Sequence, residues 1–110
     1  MIDDTIAKIQ QQLRQASNLS PEKRGELQEL IAQLKTEISS LRQVDPKRAQ
    51  TIATFAEASA HEAIRPDSQP ETTRNAIEEL ESSVTDFEAA HPKLTAVVNR
   101  IASTLSNLGI

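Results

Sequence analysis

The chain has two histidines, and each lies one helical step from a carboxylate. Glu88-Ala89-Ala90-His91 has the Glu-x-x-His spacing that places both ligands on one helix face in di-iron carboxylate bundles. One chain holds one such motif, so a complete site needs two copies and a further core carboxylate from each. Glu37 and Glu81 lie beside apolar stripes but read as exposed. The simpler account makes His91 a helix-end residue favoured by the dipole there, with Glu88 in solvent or bridging to Lys93 or Arg100. Glu88 and His91 are therefore the only metal candidates, and the expectation is that the chain holds no metal or cofactor.

The second pair, Glu57 and His61, sits four apart with Glu62 following, the spacing of an exposed helical ion pair. It is not the His-Glu-x-x-His zinc motif, because Arg65 occupies the second histidine position. Ser59, His61 and Asp67 form a nominal triad, but they are local in sequence and no Gly-x-Ser-x-Gly elbow exists. Glycines occur only at 25 and 109, so no glycine-rich phosphate loop can form. Cysteine is absent, which removes thiolate chemistry and cysteine-zinc sites. These exclusions favour a protein that is not an enzyme.

Nucleic-acid binding is poorly supported. The net charge is -4, the basic pairs Lys23-Arg24 and Lys47-Arg48 are short, and the only aromatics are Phe55 and Phe87. Charge is also uneven. Residues 71–91 carry six acids against Arg74, whereas residues 92–110 carry Lys93 and Arg100 and no acid. The acidic run reads first as a solvated helix face, and second as a docking surface for a basic partner. No apolar run approaches the roughly 20 residues that span a bilayer. The acidic start at Asp3 and Asp4 is unlike a signal peptide, so the expected compartment is the cytoplasm.

Whatever the side chains do, helices must position them. Of 110 residues, 26 are Leu, Ile, Val or Phe, enough to drive folding of one domain. Ile2, Ile6, Ile9, Leu13 and Ala16 recur in steps of 4 and 3, the seam of a coiled-coil-like helix. Ser20 as N-cap and Pro21 at the first position open a second helix to about Gln43, striped by Leu27, Ile31, Leu34, Ile38 and Leu41. Asp45 and Pro46 repeat that signal for a third helix to about Ile64. Its inner face is Ile52, Phe55, Ala56, Ser59, Ala60 and Ala63. Residues 65–70, with two prolines and no apolar residue, form a linker between sub-lobes 1–64 and 71–110.

A fourth helix is predicted over Glu71–Ala90, with Ile77, Leu80, Val84 and Phe87 on one face. A fifth follows Pro92, with Leu94, Val98, Ile101, Leu105 and Leu108. Only His91-Pro92 separates them, which predicts a sharp corner or a kinked long helix, with Phe87 packing on Leu94 or Val98. Gly109 is a natural left-handed cap, and Ile110 can fold back on the last turn.

Phe87-Glu88-x-x-His91-Pro92-x-Leu94-Thr95, followed by Leu105-x-x-Leu108-Gly109-Ile110, resembles the bacterial proteins grouped as domain of unknown function 4404. The specific likeness spans residues 87–110, and the N-terminal half agrees only in style. The resemblance implies a short, helical, cytosolic bacterial protein and implies no activity.

The expected fold is all-α: an antiparallel helical hairpin plus a kinked C-terminal helix pair, with the bundle completed by oligomerisation. Two helices alone cannot hide the long stripes, so Ile6, Ile9, Leu13, Leu27, Ile31, Leu34, Ile38 and Leu41 are the expected interface of a homodimer. The expected function is that of a non-enzymatic structural or interaction module. The alternatives are a metal-carboxylate site at a dimer interface, or an adaptor that binds a partner helix in an apolar groove.

Overall fold

Four of the five prolines stand at the first position of a helix, where the missing N–H costs nothing and the fixed φ suits the turn. A computed structural model describes residues 2–108. Its elements are α1 (Ile2–Gln15), α2 (Pro21–Arg42), α3 (Pro46–Ile64), α4 (Pro70–Ser82) and α5 (Pro92–Ser106), with a short 3-10 turn at Thr85–Phe87. The described residues include no strand. The expected cap at Gly109 and the fold-back of Ile110 lie outside the described residues.

The predicted starts of α2 and α3 are present with their caps. The Ser20 side chain accepts from the Lys23 N–H at 3.2 Å, and the Asp45 carboxylate accepts from the Arg48 N–H at 3.1 Å. The Arg24 guanidinium donates back to the Ala16 and Leu19 carbonyls, satisfying groups left open where α1 ends. At 22 residues, α2 is about 33 Å long. It sets the long axis of a body measuring 37 × 24 × 22 Å.

α3 lies at the centre, packed against α1, α2, α4 and α5. Its buried residues are Ala49, Ile52, Ala53, Ala56, Ser59, Ala60, Ala63 and Ile64. Small side chains on this helix let neighbours approach closely. At the α4 crossing the buried Ser59 hydroxyl lies 2.9 Å from the Ala76 carbonyl and 2.7 Å from the Phe55 carbonyl of its own helix. Its one proton can serve either. The polar contact on this side is extended by Thr73, whose hydroxyl donates to the Glu62 carbonyl at 3.4 Å. Phe55, expected on the inner face, is only half-buried.

One cluster of buried residues draws on all five helices, so segments 1–64 and 71–110 share a core. This also changes the status of the apolar stripes. Ile6, Ile9, Leu13, Leu27, Ile31, Leu34, Ile38 and Leu41 are each at most 1% exposed within the single chain. α3 packs on both α1 and α2, and α5 packs on α2. The expectation of a homodimer interface counted only the first two helices as cover. A second copy cannot reach these eight residues without opening the bundle. The one large apolar side chain left exposed among the described residues is Val44, at 72%.

Two substitutions test this packing. Gly25, in the second turn of α2, has open space where a Cβ would stand. Gly25→Ala should raise stability by about 0.5–1 kcal/mol. Ala53→Leu forces three carbons into a fully buried contact and should lower stability by about 1–3 kcal/mol or more. Chemical denaturation of both variants measures the two signs.

Candidate functional site

The fourth helix does not run to Ala90. It ends at Ser82, and the 3-10 turn at Thr85–Phe87 follows. Ser82-Ser83-Val84-Thr85-Asp86 is a run of weak helix formers, and its side chains compete for backbone groups. The Ser83 hydroxyl donates to the Leu80 carbonyl at 2.6 Å, and Val84 leaves helical geometry at φ -115, ψ 5. The apolar period through Val84 and Phe87 suggested helix, but a tertiary contact takes over there.

That contact comes from Arg48 in the first turn of α3. Its guanidinium donates to the two Asp86 carboxylate oxygens at 2.7 and 3.2 Å, and to the Ser83 carbonyl at 3.3 Å. It also lies over the Phe87 ring, 4.3 Å from the centroid. The other side of the group is completed by His91, whose ring meets Phe87 edge-on at 5.3 Å and 88°. The His91 N–H donates to the Phe87 carbonyl at 2.7 Å, and its carbonyl accepts from the Thr95 N–H at 3.1 Å and the Thr95 hydroxyl at 3.2 Å. Arg48, Asp86, Phe87 and His91 thus clamp the α4–α5 connection onto the start of α3. The hydrogen bond from Arg48 holds the Asp86 carboxyl below the usual aspartate range, and the same bond raises the Arg48 pKa.

His91 is therefore not the end of α4. It is the N-cap position of α5 with Pro92 next, and nine residues, 83–91, connect the two helices where a sharp corner or kink was expected. Glu88 is exposed and makes no ion pair to Lys93 or Arg100. It lines a shallow polar groove of about 390 Å³ with Glu78, Glu81, Thr95 and Asn99. The Glu-x-x-His pair is not carried on intact helix, because residues 88–90 are turn. No group of three or more His, Asp or Glu side chains among the described residues is arranged to hold a metal ion.

The other candidates separate as well. Ser59 is buried on backbone carbonyls, His61 is exposed, and Asp67 is paired with Arg65 at 3.2 Å. That pairing lowers the Asp67 pKa. Glu57 and His61 form no ion pair. Glu37 is half-buried and Glu81 exposed. Sequence reading passed over Arg24 and Arg48 as halves of short basic pairs. Each instead binds backbone carbonyls, and the partner of Arg48 lies 38 residues away.

Residues 28–110 match the family described as domain of unknown function DUF4404. The chain belongs to that family. The match begins inside α2 and takes in the clamp from Arg48 to His91. No curated protein and no solved structure matches the chain. The Phe-Glu-x-x-His-Pro segment that carried the resemblance is, in this DUF4404 protein, the connection held by Arg48. Its aromatic and imidazole are packing partners.

Two predictions follow from the clamp. Phe87 is half-buried, so Phe87→Ala should cost about 2 kcal/mol, below the ~3–5 of a fully enclosed ring. A thermal melt at or below about 0.5 kcal/mol of change would place the ring outside the folded body. For Asp86 the folded pKa is depressed, so its contribution is present above the unfolded value and is lost as pH falls through the folded one. Asp86→Asn should therefore melt lower than the native chain at pH 7, and the gap should close below about pH 4. A gap that is constant from pH 7 to pH 2 contradicts the ion pair.

Proposed function

We propose that this protein is a non-enzymatic helical interaction module. The observation that carries the reading is how the side chains are spent. Apolar groups serve the chain's own core, and the two arginines nearest the candidate chemistry, Arg24 and Arg48, serve backbone carbonyls. Dispersed acids and shallow polar grooves between helices remain on the surface. Such a surface suits another macromolecule better than a small ligand, which favours an enclosed and mostly apolar pocket. No helix among the described residues is long and apolar enough to cross a membrane.

A metal-carboxylate centre at Glu88 and His91 is the competing chemistry. It finds little support in an exposed carboxylate on a turn and an imidazole packed edge-on against Phe87. Elemental analysis of untagged protein separates the two. The module should carry only sub-stoichiometric iron, manganese and zinc, unchanged in Glu88→Gln and His91→Asn. Near-stoichiometric metal that both variants lose would replace this reading with the metal centre.

A further inference from the structure

α2 and α5 run in opposite senses along one trough. At one end the Thr104 hydroxyl donates to a Glu26 carboxylate oxygen at 3.3 Å; at the other, Thr36 and Glu37 line the same hollow as Lys93. Two hollows of about 520 and 420 Å³ share Gln33 and Arg100 and so form one channel. Its walls differ in sign. α2 contributes Glu26, Glu29 and Glu37, whereas the only charges on α5 are Lys93 and Arg100. Among the described residues, none of Glu29, Glu37, Lys93 and Arg100 is in an ion pair. The remaining carboxylate, Glu26, has Lys23 at 3.6 Å. The trough is thus close to neutral, but it is split into an acidic wall and a basic wall that do not satisfy each other.

We propose that a second copy of this chain docks along the α2–α5 trough about a two-fold axis parallel to it. This names the partner of the interaction module argued above and rests on that reading. Such an axis carries the acidic wall of each copy over the basic wall of the other without changing the level along the helices. The partner's Glu37 then stands opposite Lys93, and the partner's Glu29 opposite Arg100, with both pairs repeated by symmetry. The four helices form a four-helix contact at the place where small Ala96 and Ser103 are exposed on α5. This is a different surface from the apolar stripes, which stay inside each copy.

The footprint sets the strength. α5 is about 22 Å long and two helices side by side are about 20 Å wide, which gives roughly 900 Å² in total over both copies. That is the size of a transient interface, so association should grow with concentration. Opposite charges across such a contact fix register and partner choice more than they add affinity.

Charge reversal with mixing is the test. Sedimentation equilibrium from about 10 µM to 1 mM, a range that reaches contacts as weak as ~4 kcal/mol, should show the native chain passing from monomer to dimer. The double variant Lys93→Glu with Arg100→Glu should stay monomeric, and so should Glu29→Lys with Glu37→Lys. An equimolar mixture of the two should recover the two-chain species, because each acidic wall then meets a basic one. All four positions are at the surface, and circular dichroism checks that each variant keeps native helix content. A native chain that is monomeric across the range, variants that associate like the native chain, or a mixture that stays monomeric would each overturn the docking proposal. None of those results touches the non-enzymatic reading, which the metal analysis decides alone.

Discussion

The close approach of neighbours to α3 is the constraint on which the rest of the molecule depends. A helix in contact with four others has almost no face to spare, and side chains of ordinary bulk would hold those neighbours apart. Ala49, Ala53, Ala56, Ser59, Ala60 and Ala63 remove that bulk, so apolar stripes on α1, α2, α4 and α5 can close around one axis. Interiors of this kind are dense, and a single added methylene is felt. Small residues bury little area themselves. Their contribution is that Ile9, Leu34, Ile38, Leu80 and Val98 reach full burial around them. Ser59 fits the same logic: it is as small as alanine at the crossing and gives its proton to a carbonyl, so no polar atom is stranded.

The clamp at the start of α3 is the second level of organisation. Residues 83–91 are too irregular to hold α5 in place through their own hydrogen-bond ladder. Arg48 supplies the missing order from a distant part of the chain. It neutralises Asp86, caps the Ser83 carbonyl and covers the face of Phe87. His91 then sets the first turn of α5 through Thr95. The DUF4404 match covers both halves of this contact. The position of α5 fixes the trough beside α2, so the surface proposed for self-association is a product of the clamp as much as of the core.

Periodicity made much of this legible. The starts of α2 and α3 could be read from Ser20-Pro21 and Asp45-Pro46, because capping is local and a side chain two or three residues away does the work. The stripes on α1 and α2 were equally plain, but what covers them was not. A 4, 3 repeat states that a face is buried and says nothing about whether the cover is a second copy or helices further along the chain. The end of α4 was misjudged for a related reason. Val84 and Phe87 continue the apolar period, and the event that breaks the helix is an arginine 38 residues away. Glu88 and His91 looked like a ligand pair only while they shared that imagined helix.

Native-state hydrogen exchange measures the central claim directly, since it resolves how each helix opens. If α3 is the axis on which the others close, its amides from Ala53 to Ala60 should be among the slowest in the molecule and should exchange only through global unfolding. Amides of the 83–91 connection should exchange through smaller openings. Exchange of the α3 amides by a sub-global opening, while α1 and α2 remain protected, would contradict the account and make the N-terminal pair the independent core.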